Sequence, residues 1–156
     1  MSNGNAGGRA VALGWGGERA KCIQGSERVD VLLATYNGSK YLVEQLESIL
    51  AQTYPNIRIL VSDDGSTDAT VEILRQYHAR WGDRLVIVPN PCAGKGVVRN
   101  FENLMFASLN DGLASWAVFA DQDDVWYPEK IATTLGEMLR TEGSDGSNMP
   151  CLVHSD

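Results

Sequence analysis

No run of about 18 or more apolar residues occurs anywhere in the 156 residues, which removes an ordinary membrane-spanning helix. The opening stretch, Met1 to Gly17, lacks the charged, apolar and small-residue order of a signal peptide, so a soluble, cytoplasmic protein is expected. Cysteine is scarce. Cys22, Cys92 and Cys151 are odd in number and lack metal-ligand spacing, which excludes a complete disulfide framework and a zinc site and leaves three free thiols. Clustered basic charge is missing too: 13 Lys and Arg stand against 20 Asp and Glu, a formal net charge of −7, and no basic stripe carries interleaved aromatics. Phosphate-backbone contacts need such clusters, so no nucleic-acid partner is expected. A polyanionic ligand stays open where a metal or a few local donors neutralise it, because net charge describes solubility better than it describes a site.

What is present is the composition of one globular domain, 44% hydrophobic and 21% charged. Residues 1–28, with Gly4, Gly7, Gly8, Gly14, Gly16, Gly17 and Gly25, show no sustained periodicity and read as a disordered Gly-rich tail. Residues 29–156 read as the domain. Val29–Ala34 is a first strand ended by Asn37-Gly38, and Leu42, Leu46, Ile49 and Leu50 recur at helical spacing until Pro55 and Asn56. The cycle repeats with a strand at Ile57–Val61, a capped turn at Asp63–Ser66, and a helix whose inner stripe is Val71, Leu74 and Tyr77. A third strand at Leu85–Val88 precedes a helix carrying Phe101, Leu104, Met105 and Leu109 inward. Trp116–Ala120 is a fourth strand, Pro128 opens a fourth helix faced by Ile131, Leu135, Met138 and Leu139, residues 143–149 form a loop, and Cys151–His154 is a short fifth strand. Strand and helix alternate throughout, which predicts an α/β domain with a parallel sheet.

Ligands of open α/β sheets bind outside the carboxyl ends of the strands, and three such positions here are polar. They are Thr35-Tyr36-Asn37-Gly38, Ser62 through Asp68, and Asp121 through Trp126. Asp121 and Asp123, one residue apart in extended backbone, point to the same side, and two hard oxygen donors suit Mg²⁺ or Mn²⁺ shared with a diphosphate. The same pair also reads as a solvated turn capping the next helix. Asp63 and Asp64 read either as turn formers or, for Asp64, as the acceptor for the imide N–H of a uracil or thymine. Tyr36 reads as a base-stacking ring or a partly buried aromatic. Lys95, between Gly94 and Gly96, could approach a phosphate, and Arg99 could do the same or pair with Glu102 on the helix surface. Trp126 reads as a packing anchor, and His78 and His154 as ordinary histidines.

In order, Ala34-Thr35-Tyr36-Asn37, Ser62-Asp63-Asp64-Gly65-Ser66-Thr67-Asp68 and Phe119-Ala120-Asp121-Gln122-Asp123-Asp124-Val125-Trp126-Tyr127-Pro128-Glu129-Lys130 resemble the family 2 glycosyltransferases, and the last block is similar to bacterial rhamnosyltransferase-like members. The resemblance runs from about Val29 to the end. It implies the Rossmann-like GT-A fold, a mostly parallel sheet with helices on both faces, here an incomplete domain without an acceptor half. It implies that Ala34, Thr35, Tyr36 and Asn37 belong to the donor site, with Tyr36 against the base and Asp64 bonded to it. Asp121-Gln122-Asp123 would carry Mg²⁺ or Mn²⁺ on the diphosphate, with Asp123 as the first choice of direct ligand. The implied donor is a UDP- or dTDP-linked sugar, and the implied acceptor is a glycan or lipid-linked molecule in polysaccharide or O-antigen assembly. That setting is cytoplasmic, with peripheral association at the inner membrane face in a full-length protein.

The departure from the family is length: the carboxylate that deprotonates the acceptor is expected beyond Asp156. The alternative is a nucleotide-sugar binding module without turnover. A phosphatase using an Asp-x-Asp nucleophile would place it after the first strand, where Thr35-Tyr36-Asn37 stands, and a dinucleotide oxidoreductase would need a G-x-G-x-x-G that is absent there.

Overall fold

The computed structural model describes residues 10–14, 27–91, 93–145 and 152–155. Its strands are β1 (Ala10–Gly14), β2 (Val29–Thr35), β3 (Ile57–Asp63), β4 (Leu85–Ile87), β5 (Trp116–Asp121) and β6 (Leu152–Ser155). Its α-helices are α1 (Leu42–Leu50), α2 (Thr70–Trp81), α3 (Val97–Asp111) and α4 (Lys130–Asp145). One sheet takes the order β4-β3-β2-β5-β1-β6. The first four strands run parallel, and β1 is antiparallel to both of its neighbours.

The whole of β2 is buried, as a central parallel strand should be when helices cover both faces. Val29, Val31 and Leu33 meet Leu42, Leu46 and Ile49 of α1, Leu74 of α2, and Ile131, Leu135 and Met138 of α4. Leu32 and Ala34 face the other way, onto Leu104 of α3. Each fully buried Leu or Ile of this kind contributes roughly 1.5–3 kcal/mol from apolar burial.

The expectation of a disordered tail over residues 1–28 is corrected at Ala10–Gly14, which form β1 between β5 and β6. Without it β5 would expose a row of backbone donors and acceptors, and an Ala-Val-Ala-Leu run free of proline and charge can pair with them. Residues 1–9 and 15–26 lie outside the described residues. The expected loop over 143–149 is likewise corrected, since α4 continues to Asp145; residues 146–149 lie outside the described set. The last strand spans Leu152–Ser155, one residue later than expected.

Two inner stripes also shift. Ile73 and Trp81 join Leu74 and Tyr77 against the core, and Val71 does not. On α3, Leu109 is 40% exposed while Ser108 is buried. The reason is polar: Asp30 of β2 faces α3, and the Ser108 hydroxyl donates to its Oδ2 at 2.7 Å. Arg58 of β3 donates to both oxygens of Asp30, at 2.8 and 2.6 Å, and pairs with Asp111 at 2.6 Å. Burial works to lower the Arg58 pKa, but its hydrogen bonds to these two carboxylates hold it above its ordinary value. A buried carboxylate needs such partners, so a hydroxyl displaces the leucine from the inner face.

Candidate functional site

The chain order reverses between β2 and β5: from β2 it moves outward through β3 and β4, then returns to the other side of β2 as β5. Such a switch point opens a crevice at the carboxyl ends of the strands. A cavity of about 400 Å³ lies there. Of the residues expected at the site, Ala34, Thr35, Tyr36, Asp64, Asp121 and Asp123 line it, while Asn37, Lys95 and Arg99 do not. Gly94, Gly96, Val97, Asn100 and Gln122 complete the wall.

The first loop hangs on side chains from the other two and from Thr70 at the start of α2. Four consecutive backbone N–H groups each donate to one: Tyr36 to Gln122 Oε1 at 2.8 Å, Asn37 to Ser66 Oγ at 2.8 Å, Gly38 to Thr70 Oγ1 at 2.9 Å, and Ser39 to Asp68 Oδ2 at 3.0 Å. Asn37, at φ 46°, returns a bond by accepting the Thr67 N–H at 2.8 Å, so it braces the turn instead of facing the cavity. Much of the Asp-Asp-Gly-Ser-Thr-Asp run therefore serves to suspend the tyrosine loop, whose Tyr36 is left 55% exposed at the rim.

Asp63 and Asp64 divide their tasks. Asp63 accepts from the Thr35 hydroxyl at 3.0 Å, the Gly65 and Ser66 N–H groups at 3.0 and 2.8 Å, and the Ser66 hydroxyl at 2.5 Å. Its carboxylate is consumed by the turn. Asp64, 7% exposed, accepts the Gly94 N–H at 2.7 Å on one oxygen and the Gly96 N–H at 2.9 Å on the other. These bonds pin the Gly94–Gly96 segment as a cavity wall, and a carboxylate with about four lone-pair sites retains acceptor capacity. Gly96, at φ 92° and ψ 166°, occupies backbone space open essentially to glycine alone. The helix after this loop also starts later than expected, at Thr70 with Ala69 as its N-cap, and Asp68 Oδ1 just before it accepts the Thr70 N–H at 3.0 Å.

Lys95 stays exposed between its two glycines. Arg99 pairs with Glu102 at 2.7 Å and is 65% exposed, the surface alternative open to it from the sequence. A helix turns by about 100° per residue, and on α3 that phase presents Asn100 to the cavity in place of Arg99. Asn100 is fixed by donating to Ser62 O at 2.8 Å and accepting from Asn90 at 3.1 Å. Trp126 is the anchor expected of it, its ring buried in the core and its backbone N–H donating to Ser48 Oγ at 3.0 Å. Thr53 N–H to Pro128 O at 2.8 Å ties the rest of that loop to the end of α1.

Asp121 and Asp123 differ from the other acids. Their carboxylates accept no hydrogen bond and form no ion pair among the described residues. Burial raises the Asp121 pKa above the ordinary carboxylate value, and the charge of Asp123 raises it further. Among the described residues no third His, Cys, Asp or Glu joins them in a metal-binding group.

A family model described as Glycosyl transferase family 2 matches residues 30–150. The chain belongs to that family. It is 35% identical over 103 residues to the dTDP-rhamnosyl transferase RfbG of Shigella flexneri, covering 66% of this chain and 35% of that protein. It is 32% identical over 117 residues to the Escherichia coli glucosyltransferase WfaP, whose name gives UDP-Glc and a GlcNAc-diphosphoundecaprenol as its substrates, covering 74% and 43%. Among solved structures it is similar to S. aureus TarS 1–349 in complex with UDP-GlcNAc, with a TM-score of 0.60, 26% identity, and 76% and 32% of the two chains covered. The mannosyltransferase PcManGT of Pyrobaculum calidifontis, solved with GDP-Man and Mn²⁺, gives a TM-score of 0.58 at 27% identity, with 70% and 31% covered. These neighbours share the GT-A fold. This chain spans about a third of the length of the first of these relatives.

Proposed function

We propose that this glycosyltransferase-family chain holds the nucleoside diphosphate of a UDP- or dTDP-linked sugar for transfer to a polysaccharide or O-antigen acceptor. One observation carries the reading: Tyr36, Asp64 and the Asp121/Asp123 pair stand around a single cavity at the switch point. Tyr36 offers its exposed ring to the base, and Asp64 offers its remaining lone pairs to an imide N–H. Thr35 and Ala34 close the floor beneath.

The donor set at Asp121 and Asp123 fits a divalent cation. Two like charges lie close enough to raise a pKa, neither is neutralised by a protein cation, and two carboxylates without a third suit Mg²⁺ or Mn²⁺ completed by diphosphate oxygens. When bound, such an ion supplies Lewis-acid stabilisation of charge on the departing nucleoside diphosphate. Asp123 is its first ligand in this reading, and Asp121 its second.

The acids lining the cavity are Asp64, Asp121 and Asp123, which leaves none there to deprotonate an acceptor hydroxyl. That favours a donor-binding unit whose catalytic base lies outside the described cavity. A binding module without turnover would share every residue named, and transfer of sugar to an acceptor separates the two. This reading includes a lipid-linked acceptor met at the cytoplasmic face of a membrane.

Calorimetric titration with UDP and dTDP, first with Mn²⁺ and then with chelator, tests the donor site. Binding that disappears with chelator is expected. Folded protein that binds neither nucleotide in either condition overturns the reading.

A further inference from the structure

Gln122 lies between the two acids in the Asp121-Gln122-Asp123 sequence, and its side chain is hydrogen-bonded to neither of them. It pairs instead with the backbone of Tyr36: Oε1 accepts the Tyr36 N–H at 2.8 Å and Nε2 donates to the Tyr36 carbonyl at 2.9 Å. Both backbone groups of one residue are thus read by one primary amide, the pairing a neighbouring β-strand would make. The register explains why an amide is needed. The parallel ladder of β2 and β5 ends at Ala34↔Asp121, so Tyr36 and Gln122 are past the last backbone pair and need another link.

Gly38 supplies a second, independent observation. A Cβ built on Gly38 would lie 2.3 Å from Gln122 Oε1 and 2.6 Å from its Cδ. Gly38 does not have positive φ, so conformational freedom is not what glycine provides there. It provides room for the amide.

We infer that Gln122 is a positioning residue that straps the Tyr36 loop to the Asp121/Asp123 loop, setting the distance between the base-binding ring and the diphosphate-binding carboxylates, with Gly38 as its seat. The inference rests on the donor-site reading above. The strap lies at the exposed rim, away from both core clusters, so its loss changes the site while the fold persists.

The test compares the wild-type chain with Gln122→Met, which keeps length and removes both bonds, with Gly38→Ala, which displaces the flexible amide, and with the Gly38→Ala/Gln122→Ala double variant. Faster hydrogen exchange is expected at the Tyr36 amide of each ligand-free variant, with β2 amides unchanged. UDP affinity in Mn²⁺ should fall about tenfold in each single variant, the scale of one or two lost hydrogen bonds. The double variant should bind no worse than either single one, because all three lose the same strap. Melting temperatures should stay within about 2 °C. Wild-type binding that every variant retains in full overturns the strap and spares the donor-site reading. Losses that multiply in the double variant overturn the role of Gly38 as a seat. A wild-type chain that binds no nucleotide overturns the donor-site reading, and the strap's role falls with it.

Discussion

Two loops bring carboxylates to one cavity, and they use them in opposite ways. After β3, Asp63, Asp64 and Asp68 all accept hydrogen bonds from the protein: from the turn that carries Asp63, from the Gly94–Gly96 segment, and from Ser39 and Thr70. After β5, Asp121 and Asp123 accept none among the described residues, and burial together with mutual charge lifts the Asp121 pKa. Folding alone satisfies the first set. The second set, exposed at the cavity, keeps its lone pairs free of the protein among the described residues. Acidic residues in a motif therefore divide by whether their lone pairs are already taken, a property that charge and spacing do not reveal.

The largest expected effect tests the unsatisfied loop. Asp123→Ala should weaken UDP binding in Mn²⁺ by a hundredfold or more, about 2.7 kcal/mol, while the melting temperature barely moves because no protein partner is lost. Next comes Asp63→Ala, the mirror case. Four hydrogen bonds disappear, so stability should drop by about 2–3 kcal/mol in urea unfolding, with UDP affinity reduced much less than in Asp123→Ala. Equal losses of affinity in the two variants would break the comparison.

How much of this was legible follows the same division. Strands β2 to β5 and the four helices announce themselves by apolar runs and helical spacing, and residues directly after strands mark the cavity, so Tyr36, Asp64, Asp121 and Asp123 could be found. β1 could not, because Ala10–Gly14 is ordered by a partner strand far along the chain and has no periodicity of its own. Gln122 and Asn100 carry no charge, and their partners are backbone groups of Tyr36 and Ser62, invisible before the strands are aligned. Neither Lys95 nor Arg99 lines the cavity: Lys95 is exposed in the loop before α3, and the helix phase of α3 turns Arg99 to Glu102, an orientation that a positive charge near glycines does not announce.

A smaller effect probes the bond between the satisfied loop and the cavity wall. Gly96→Ala forces a side chain into backbone space that costs about 1–3 kcal/mol for non-glycine residues. Nothing lies within 4 Å of the added methyl, so the cost is conformational and not steric. The expected result is release of the Gly96 N–H from Asp64, seen as faster exchange at that amide, with UDP affinity lowered about tenfold or less. A variant with unchanged exchange would mean that Asp64 does not pin the wall.

The smallest effect concerns acid. Asp68 has its pKa held below the ordinary 3.8, first by the Thr70 hydroxyl, against an opposing desolvation, and then by the Thr70 N–H and the hydroxyl and N–H of Ser39. A carboxyl with a depressed folded-state pKa stabilises the fold above its unfolded value, and that contribution is lost as pH falls through the folded value. The stability gap between wild type and Asp68→Asn, read as the difference in urea midpoints, should therefore be full near neutrality and begin to close below pH 3.8. A gap that persists unchanged at the lowest pH where both proteins fold would show that the Asp68 charge is immaterial and only its acceptor geometry matters. Asn could reproduce part of that geometry. The comparison between loops would then rest on hydrogen-bond satisfaction alone, with charge relevant only where, as at Asp121 and Asp123, no donor has claimed it.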